Sequence, residues 1–340
     1  MGSNAMYTKL EKTGRLDKTF PYEDITPVIG REYSQINIVH DLLEAPDADD
    51  LLRDLGITIS ERCVVFFRAQ DNLSQDAQKA LIQRIGELTG KPASSGLHVH
   101  PVMNDASTGD AEISRIDSRT LKTLYRPNGS AVSAPPWHSD SPFEVDTPGY
   151  TSLRLVELPS NGGDTLWASG YDLYDRFSPA YRRFLEGLSV TYIGEAFLQA
   201  VREHHKIMEG PRGSPNNVGR HLTAVHPIVR TNPVTGWKSV YAVGNCAKYV
   251  NELSPKESDS VLQMLRGTLL ENHDLTVRFK WRNKNDIAIW DNRCVFHSGT
   301  GDYAGLGDRA GVRAVGIHEA PYLDPNSTSK AEYLQSGQQT

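Results

Sequence analysis

The stretch Asp286-Ile287-Ala288-Ile289-Trp290-Asp291-Asn292-Arg293-Cys294-Val295-Phe296-His297 decides the fold. Its first half is a short β-prone run, bounded by polar residues and too short for a stable helix. Similar pieces recur at 151–156, 188–192, 224–229, 238–243, 275–279 and 312–317. Turn signals such as Asn161-Gly162-Gly163 and Asn232-Pro233-Val234-Thr235-Gly236 separate several of them. Helical spacing interrupts at 171–185 and at 254–270, where Ser254 caps and Pro255 fills the first turn. Towards the amino end, 47–55 reads as a helix and the apolar run 63–67 as a buried strand. A second helix opens at Ser74, carries the stripe Leu81, Ile82, Ile85 and Leu88, and ends at Gly90. Many short strands with few helices predict a mainly β (α+β) protein: a sandwich or jelly roll with the amino-end helices packed outside.

The chain has 340 residues, 38% hydrophobic and 23% charged, ordinary for one large globular domain with a sizeable core. We read 20–322 as that domain, Met1-Gly2-Ser3-Asn4-Ala5 as the remnant of an expression tag, and 323–340, rich in Ser, Gln, Asn and Lys, as a fraying tail. A net charge of −6 argues against nucleic acid as a partner. The absence of a long apolar run argues against a membrane span. Three scattered cysteines and no secretory pattern point to the cytoplasm.

The stretch ends on His297, and far upstream lies Trp137-His138-Ser139-Asp140. Side chains at i and i+2 of a strand share a face, so His138 and Asp140 can reach one ion. His297, brought alongside on another strand, completes two imidazoles and a carboxylate, a set that suits ferrous iron and leaves other coordination positions open. Taken alone, an H-x-D is as well a chance surface pair, Gly162-Gly163 a hairpin turn, and Arg309 and Arg313 solvated charges. On a β segment with a bend or bulge between them, both arginines could face inward, and arginine is the side chain that clamps a carboxylate.

Taken together in order, the blocks are specific. Val64-Val65-Phe66-Phe67-Arg68, Trp137-His138-Ser139-Asp140, Gly162-Gly163-Asp164-Thr165-Leu166-Trp167, the run from His226 through Gly236, the run from Asp286 through Arg293, His297, and Arg309 with Arg313 span nearly the whole chain. The sequence resembles the iron- and 2-oxoglutarate-dependent oxygenases of the taurine and 2,4-dichlorophenoxyacetate dioxygenase (TauD/TfdA) family. The resemblance implies a double-stranded β-helix (cupin-like jelly roll) and an enzyme using Fe(II), 2-oxoglutarate and O2. His138, Asp140 and His297 would hold the iron, and Thr165 and Arg309 the distal carboxylate of 2-oxoglutarate. Arg313 and His100 would contact substrate, with Trp137 and Asn245 beside them. The implied reaction hydroxylates a substrate C–H and releases succinate and CO2; because Asp140 is present, halogenation is not expected. Arg313 implies a small anionic substrate, a sulfonate or carboxylate, and analogy with relatives implies a homodimer or tetramer.

Two departures bear on substrate. Gly244-Asn245-Cys246 stands where taurine enzymes carry an aromatic contact, and Tyr125-Arg126-Pro127-Asn128-Gly129-Ser130 reads as an added lid. Taurine itself is therefore not the expected substrate. A zinc-dependent hydrolase using the same three residues, and a non-catalytic cupin-like binding protein, stay open at the level of sequence. His98-Val99-His100 allows a second metal pair, a reading the family pattern does not favour.

Overall fold

Val64–Phe67 is buried at all four positions because packed layers cover both faces of this strand. Val65 and Phe67, with Ile287 and Ile289 of the neighbouring strand Ile287–Asp291, enter a core shared with the helices Ala48–Arg62 and Gln75–Leu88. Phe66, Ala288 and Trp290 point the opposite way, into a core with Trp167, Phe279 and Val295. The continuous apolar run in the sequence is thus two interleaved period-two patterns.

A computed structural model describes residues 9–102, 109–119, 137–203 and 207–337. The suggested tag at Met1–Ala5 and the suggested lid at 125–130 lie outside them. Seven strands form the larger sheet in the order Glu23–Asp24, Arg31–Tyr33, Val64–Phe67, Ile287–Asp291, Pro148–Glu157, Ala310–Ile317, Ile113–Asp117. Facing it is the sheet Thr276–Phe279, Thr165–Ser169, Val295–Gly299. Phe66 stacks on Phe279 at 4.1 Å between them, and Trp167 meets Trp290 edge-on at 5.7 Å. These two sheets are the jelly-roll core, with helices outside it as expected. Gln78, on the outer helix, donates to Ser152 Oγ and to the Val312 carbonyl and so fastens that helix to the sheet. A third core lies under the helix Pro255–Glu271, whose start is fixed by a capping box between Ser254 and Glu257.

Three local expectations change. The helix at 47–55 continues to Arg62, because Ile57 and Ile59 extend its buried face. The helix at 171–185 is two, Gly170–Asp175 and Pro179–Glu186. Pro179 has no N–H to continue the first, and Ser178 caps the second by accepting from Tyr181. The carboxyl-terminal tail does not fray within the described residues. The Lys238 backbone amide donates to the Thr328 carbonyl at 2.9 Å, and Lys330–Gly337 is a helix. Lys330 reaches Asp172 at 2.8 Å, and Tyr333 lies against Trp237 at 5.5 Å. One aromatic and one paired lysine dock a segment whose composition otherwise reads as tail. No described helix is long and apolar enough to cross a membrane.

Candidate active site

The turn after Ile287–Asp291 builds the site. Asn292, fully buried, donates to the Gly149 carbonyl and to Thr151 Oγ1 at 3.0 and 2.8 Å. Its Oδ1 accepts from Trp290 Nε1 at 3.0 Å and from the Asp140 amide at 3.1 Å. One amide side chain therefore ties the H-x-D segment to the strand that leads to His297. Beneath it, Asp291 and Arg293 form a buried pair through Nε at 2.7 Å and NH2 at 2.9 Å. Asp291 also accepts from Ser60 at 2.7 Å and Asn232 at 2.9 Å.

His138 and His297 are opposite each other in an antiparallel bridge. Their backbones exchange hydrogen bonds of 3.1 and 2.8 Å, and their rings stand 4.3 Å apart. Asp140, two residues on, presents Oδ1 4.0 Å from His297 Nε2. One ligating atom from each of the three residues lies within 4.8 Å of the others, the one such group among the described residues. Burial pushes the His297 imidazole down to about 3, so it is neutral near pH 7. Burial pushes the Asp140 carboxyl up, but Arg313, His297 and His138 outweigh this and leave it at about 2. A neutral imidazole and an ionised carboxylate are the protonation states a divalent metal requires. The pair His98 and His100 does not gather a third such ligand among the described residues.

Beside this group is a pocket of fixed donors. Thr165 and Trp167 share one face of their strand, and Trp167 is paired with His297, so Thr165 and His297 look into the same space between the sheets. Thr165 Oγ1 accepts from Arg309 NH2 and from Trp281 Nε1, both at 3.1 Å. With both lone pairs used, its own proton is left for a further acceptor. Arg309 is held by Nε to the Gly163 carbonyl at 2.8 Å. A Cβ on Gly163 would come within 3.0 Å of Arg309 Cδ, and φ there is +72°, so only glycine lets the arginine lie across this turn. A hydroxyl proton and a guanidinium side by side suit a carboxylate.

Arg313 shares this interior face. It is paired with Leu153, which belongs to the inter-sheet core, whereas its neighbours Val312 and Ala314 face the outer helices. Even spacing alone turns Arg309 and Arg313 the same way; the register shift lies in the partner strand, opposite Ala310 and Gly311. Arg313 NH1 donates to Asp140 Oδ1 at 2.6 Å. His100 is buried, with its ring 5.2 Å from Phe197, and burial followed by the charge of Arg313 pushes its imidazole well down. Trp137 is half-buried beside His138. A Cβ on Gly244 would meet the Trp137 carbonyl at 2.9 Å, which brings the following Asn245 to the edge of the site. The Asn245 side chain is exposed, with the Cys246 sulfur 3.7 Å from its Oδ1.

Sequence reasoning missed Trp281, Asn292 and Phe197. Trp281 continues the alternation of Phe279 at the end of a recognised strand, and Asn292 sits in the quoted stretch, so both had a signal. Phe197 lies on the helix Glu195–Glu203, which carried none. The buried cluster His98–Glu144–Arg212 was missed too: Arg212 grips Glu144 at 2.6 and 2.8 Å, and Glu144 stands 3.3 Å from His98.

The profile of the family described as "Taurine catabolism dioxygenase TauD, TfdA family" matches residues 21–315. The chain is 46% identical to the "Alpha-ketoglutarate-dependent dioxygenase btcD" of Neocamarosporium betae, over 95% of this chain and 97% of that protein. It is 28% identical to the "Alpha-ketoglutarate-dependent sulfonate dioxygenase" of Saccharomyces cerevisiae, over 92% of this chain and 70% of that one. The crystal structure of a taurine dioxygenase from Burkholderia xenovorans shares the fold, with a TM-score of 0.68, 24% identity, and coverage of 91% and 94% of the two chains.

Proposed function

The chain belongs to the taurine catabolism dioxygenase TauD, TfdA family and is an α-ketoglutarate (2-oxoglutarate)-dependent dioxygenase, and on that premise we propose that it uses Fe(II) to hydroxylate a C–H bond of a small anionic substrate. The observation that carries the iron reading is the convergence of His138, Asp140 and His297 within 4.8 Å. Ferrous iron, when bound, supplies O2 activation coupled to the oxidative decarboxylation of 2-oxoglutarate to succinate and CO2. The protein supplies aim and the exclusion of water. Thr165 and Arg309 anchor the distal carboxylate of 2-oxoglutarate, and Trp281 fixes the rotamer of Thr165. Arg313 and His100 line the substrate side, with Trp137 and Asn245 at its edge. Residues 20–322 act as one catalytic domain. A hydrolase or a simple binding module would have no use for the Thr165–Arg309 pair.

An anionic substrate follows from Arg313 and from the sulfonate relative, whose name carries that chemistry. The test has two stages. Anaerobic Fe(II) protein given 2-oxoglutarate should develop a visible charge-transfer band; a colourless complex sinks the iron reading. A panel of sulfonates, sulfates, aryloxyacids and amino-acid derivatives, scored by succinate release above the uncoupled rate, then finds the substrate. Stimulation by neutral compounds alone would overturn the anionic assignment.

Gly163→Ala is expected to weaken 2-oxoglutarate binding about tenfold. The substitution forces a left-handed backbone on alanine, at a cost on the order of 1–3 kcal/mol, and pushes Arg309 off its carbonyl. Titration of the charge-transfer band reads this directly. An unchanged midpoint would show that Arg309 is not held from this turn.

A further inference from the structure

Asp140 Oδ1 is the carboxylate oxygen that lies 4.0 Å from His297 Nε2, and the same atom accepts the hydrogen bond from Arg313 NH1 at 2.6 Å. A guanidinium therefore sits on the carboxylate that lies beside His297, and the second oxygen of that carboxylate, Oδ2, is buried without a hydrogen-bond partner among the described residues. The backbone that carries Asp140 is held in place. Its amide is held by Asn292 Oδ1 at 3.1 Å, and the preceding Ser139 Oγ is bonded to the Val295 carbonyl at 3.0 Å. Arg313 has a fixed backbone too, because its strand is paired on both sides, with Leu153 and with Ser114. Its long side chain is the movable part. That side chain is also incompletely satisfied, since Nε is buried and donates to nothing among the described residues.

We infer that Arg313 is an internal competitor of the metal: it is paired with the Asp140 carboxylate until an anionic substrate draws the guanidinium away, so that substrate capture strengthens the hold of Asp140 on the metal. A cation held on one oxygen of a ligand carboxylate repels a divalent metal at that carboxylate, and an anion placed on that cation relieves the repulsion. Linkage makes the effect reciprocal, with metal favouring the anion as much as the anion favours metal. The inference rests on the metal reading above and adds a coupling that the ligand set alone does not contain.

Calorimetric titration with Co(II), without 2-oxoglutarate, tests it on the full chain. Arg313→Met, a neutral side chain of similar length, should bind Co(II) at least about fivefold more tightly than the wild type. Arg313→Gln should move the same way and guards against one variant that folds poorly. Methanesulfonate, used as the anion probe, should tighten Co(II) binding by the wild type and leave Arg313→Met unchanged. Equal or weaker Co(II) binding by both variants would overturn the competition, as would a methanesulfonate effect that survives in them. A wild type that binds no stoichiometric Co(II), or binds it as well after His297→Ala, would instead overturn the metal site itself.

Discussion

His297→Ala should lower 2-oxoglutarate turnover at least about a thousandfold and abolish stoichiometric iron. Groups that merely orient a metal ligand are worth roughly 10–100-fold in affinity or activity, and His297 is placed to be a ligand itself. The fold should survive, because the bridge between positions 138 and 297 is made by backbone atoms, at 3.1 and 2.8 Å. The lost imidazole leaves a gap beside Trp290, whose ring is 4.8 Å away, so a modest loss of stability is expected with the loss of metal. Metal analysis after desalting and single-turnover succinate formation check the two halves. Near-normal iron content with full turnover would remove His297 from the site.

The largest expected effect on stability is at Asp291. Asp291→Ala removes the acceptor of two guanidinium hydrogen bonds, at 2.7 and 2.9 Å, and strands Arg293, which is only 1% exposed. Removing one partner of a buried ion pair costs about 3–5 kcal/mol. Glu319, 3.7 Å from Arg293, offsets little of it at that distance. The denaturant midpoint measures the loss. Replacing both residues, Asp291→Leu with Arg293→Met, should recover part of it, since no charge is then left unpaired. A single substitution costing less than about 1 kcal/mol would show that the pair is not desolvated as drawn.

The same residue gives the acid limb a sign. Burial pushes the Asp291 carboxyl up, and Arg293, Ser60 and Asn232 together bring it down to about 2. Its folded value is below its unfolded one, so its stabilisation is present in full above the ordinary carboxylate range, near 3.9. That stabilisation is lost as pH falls through 2. Asp291→Ala should therefore lose less stability than the wild type over that interval.

Much of the site was legible because its residues come in short local patterns. An H-x-D places two side chains on one face by strand geometry alone, and Gly162-Gly163 marks a backbone that something must approach closely. That something is Arg309, which local pattern cannot reveal, since it is contributed by another sheet. The strands were visible where they are buried on both faces, as at Val64–Phe67. Strands such as Ile113–Asp117, with two charged residues at the sheet edge, carry no such signal. Helix ends were read well where a serine caps them and poorly where a second cap, Ser178, followed within one helical period. The docked tail was misread because two side chains, Lys330 and Tyr333, outweigh a polar composition. Arg313 faces the inter-sheet interior without the bend or bulge expected from the sequence, and its contact with Asp140 depends on the reach of a flexible side chain that no spacing rule describes.

His138 and His297 owe their separation to the cross-strand spacing of β-structure, since each is hydrogen-bonded to the other through its own peptide groups. That ruler is independent of which side chains line the walls. Exposed side chains on the proposed substrate side, such as Asn245, can be exchanged without recalibrating it; Gly244 cannot, because a Cβ there would meet the Trp137 carbonyl at 2.9 Å and press on His138. An engineer seeking a new substrate on this scaffold can therefore recut the rest of the enclosure and keep the His138–His297 spacing, provided Asn292 stays to pin the Asp140 segment and Gly244 stays beside Trp137.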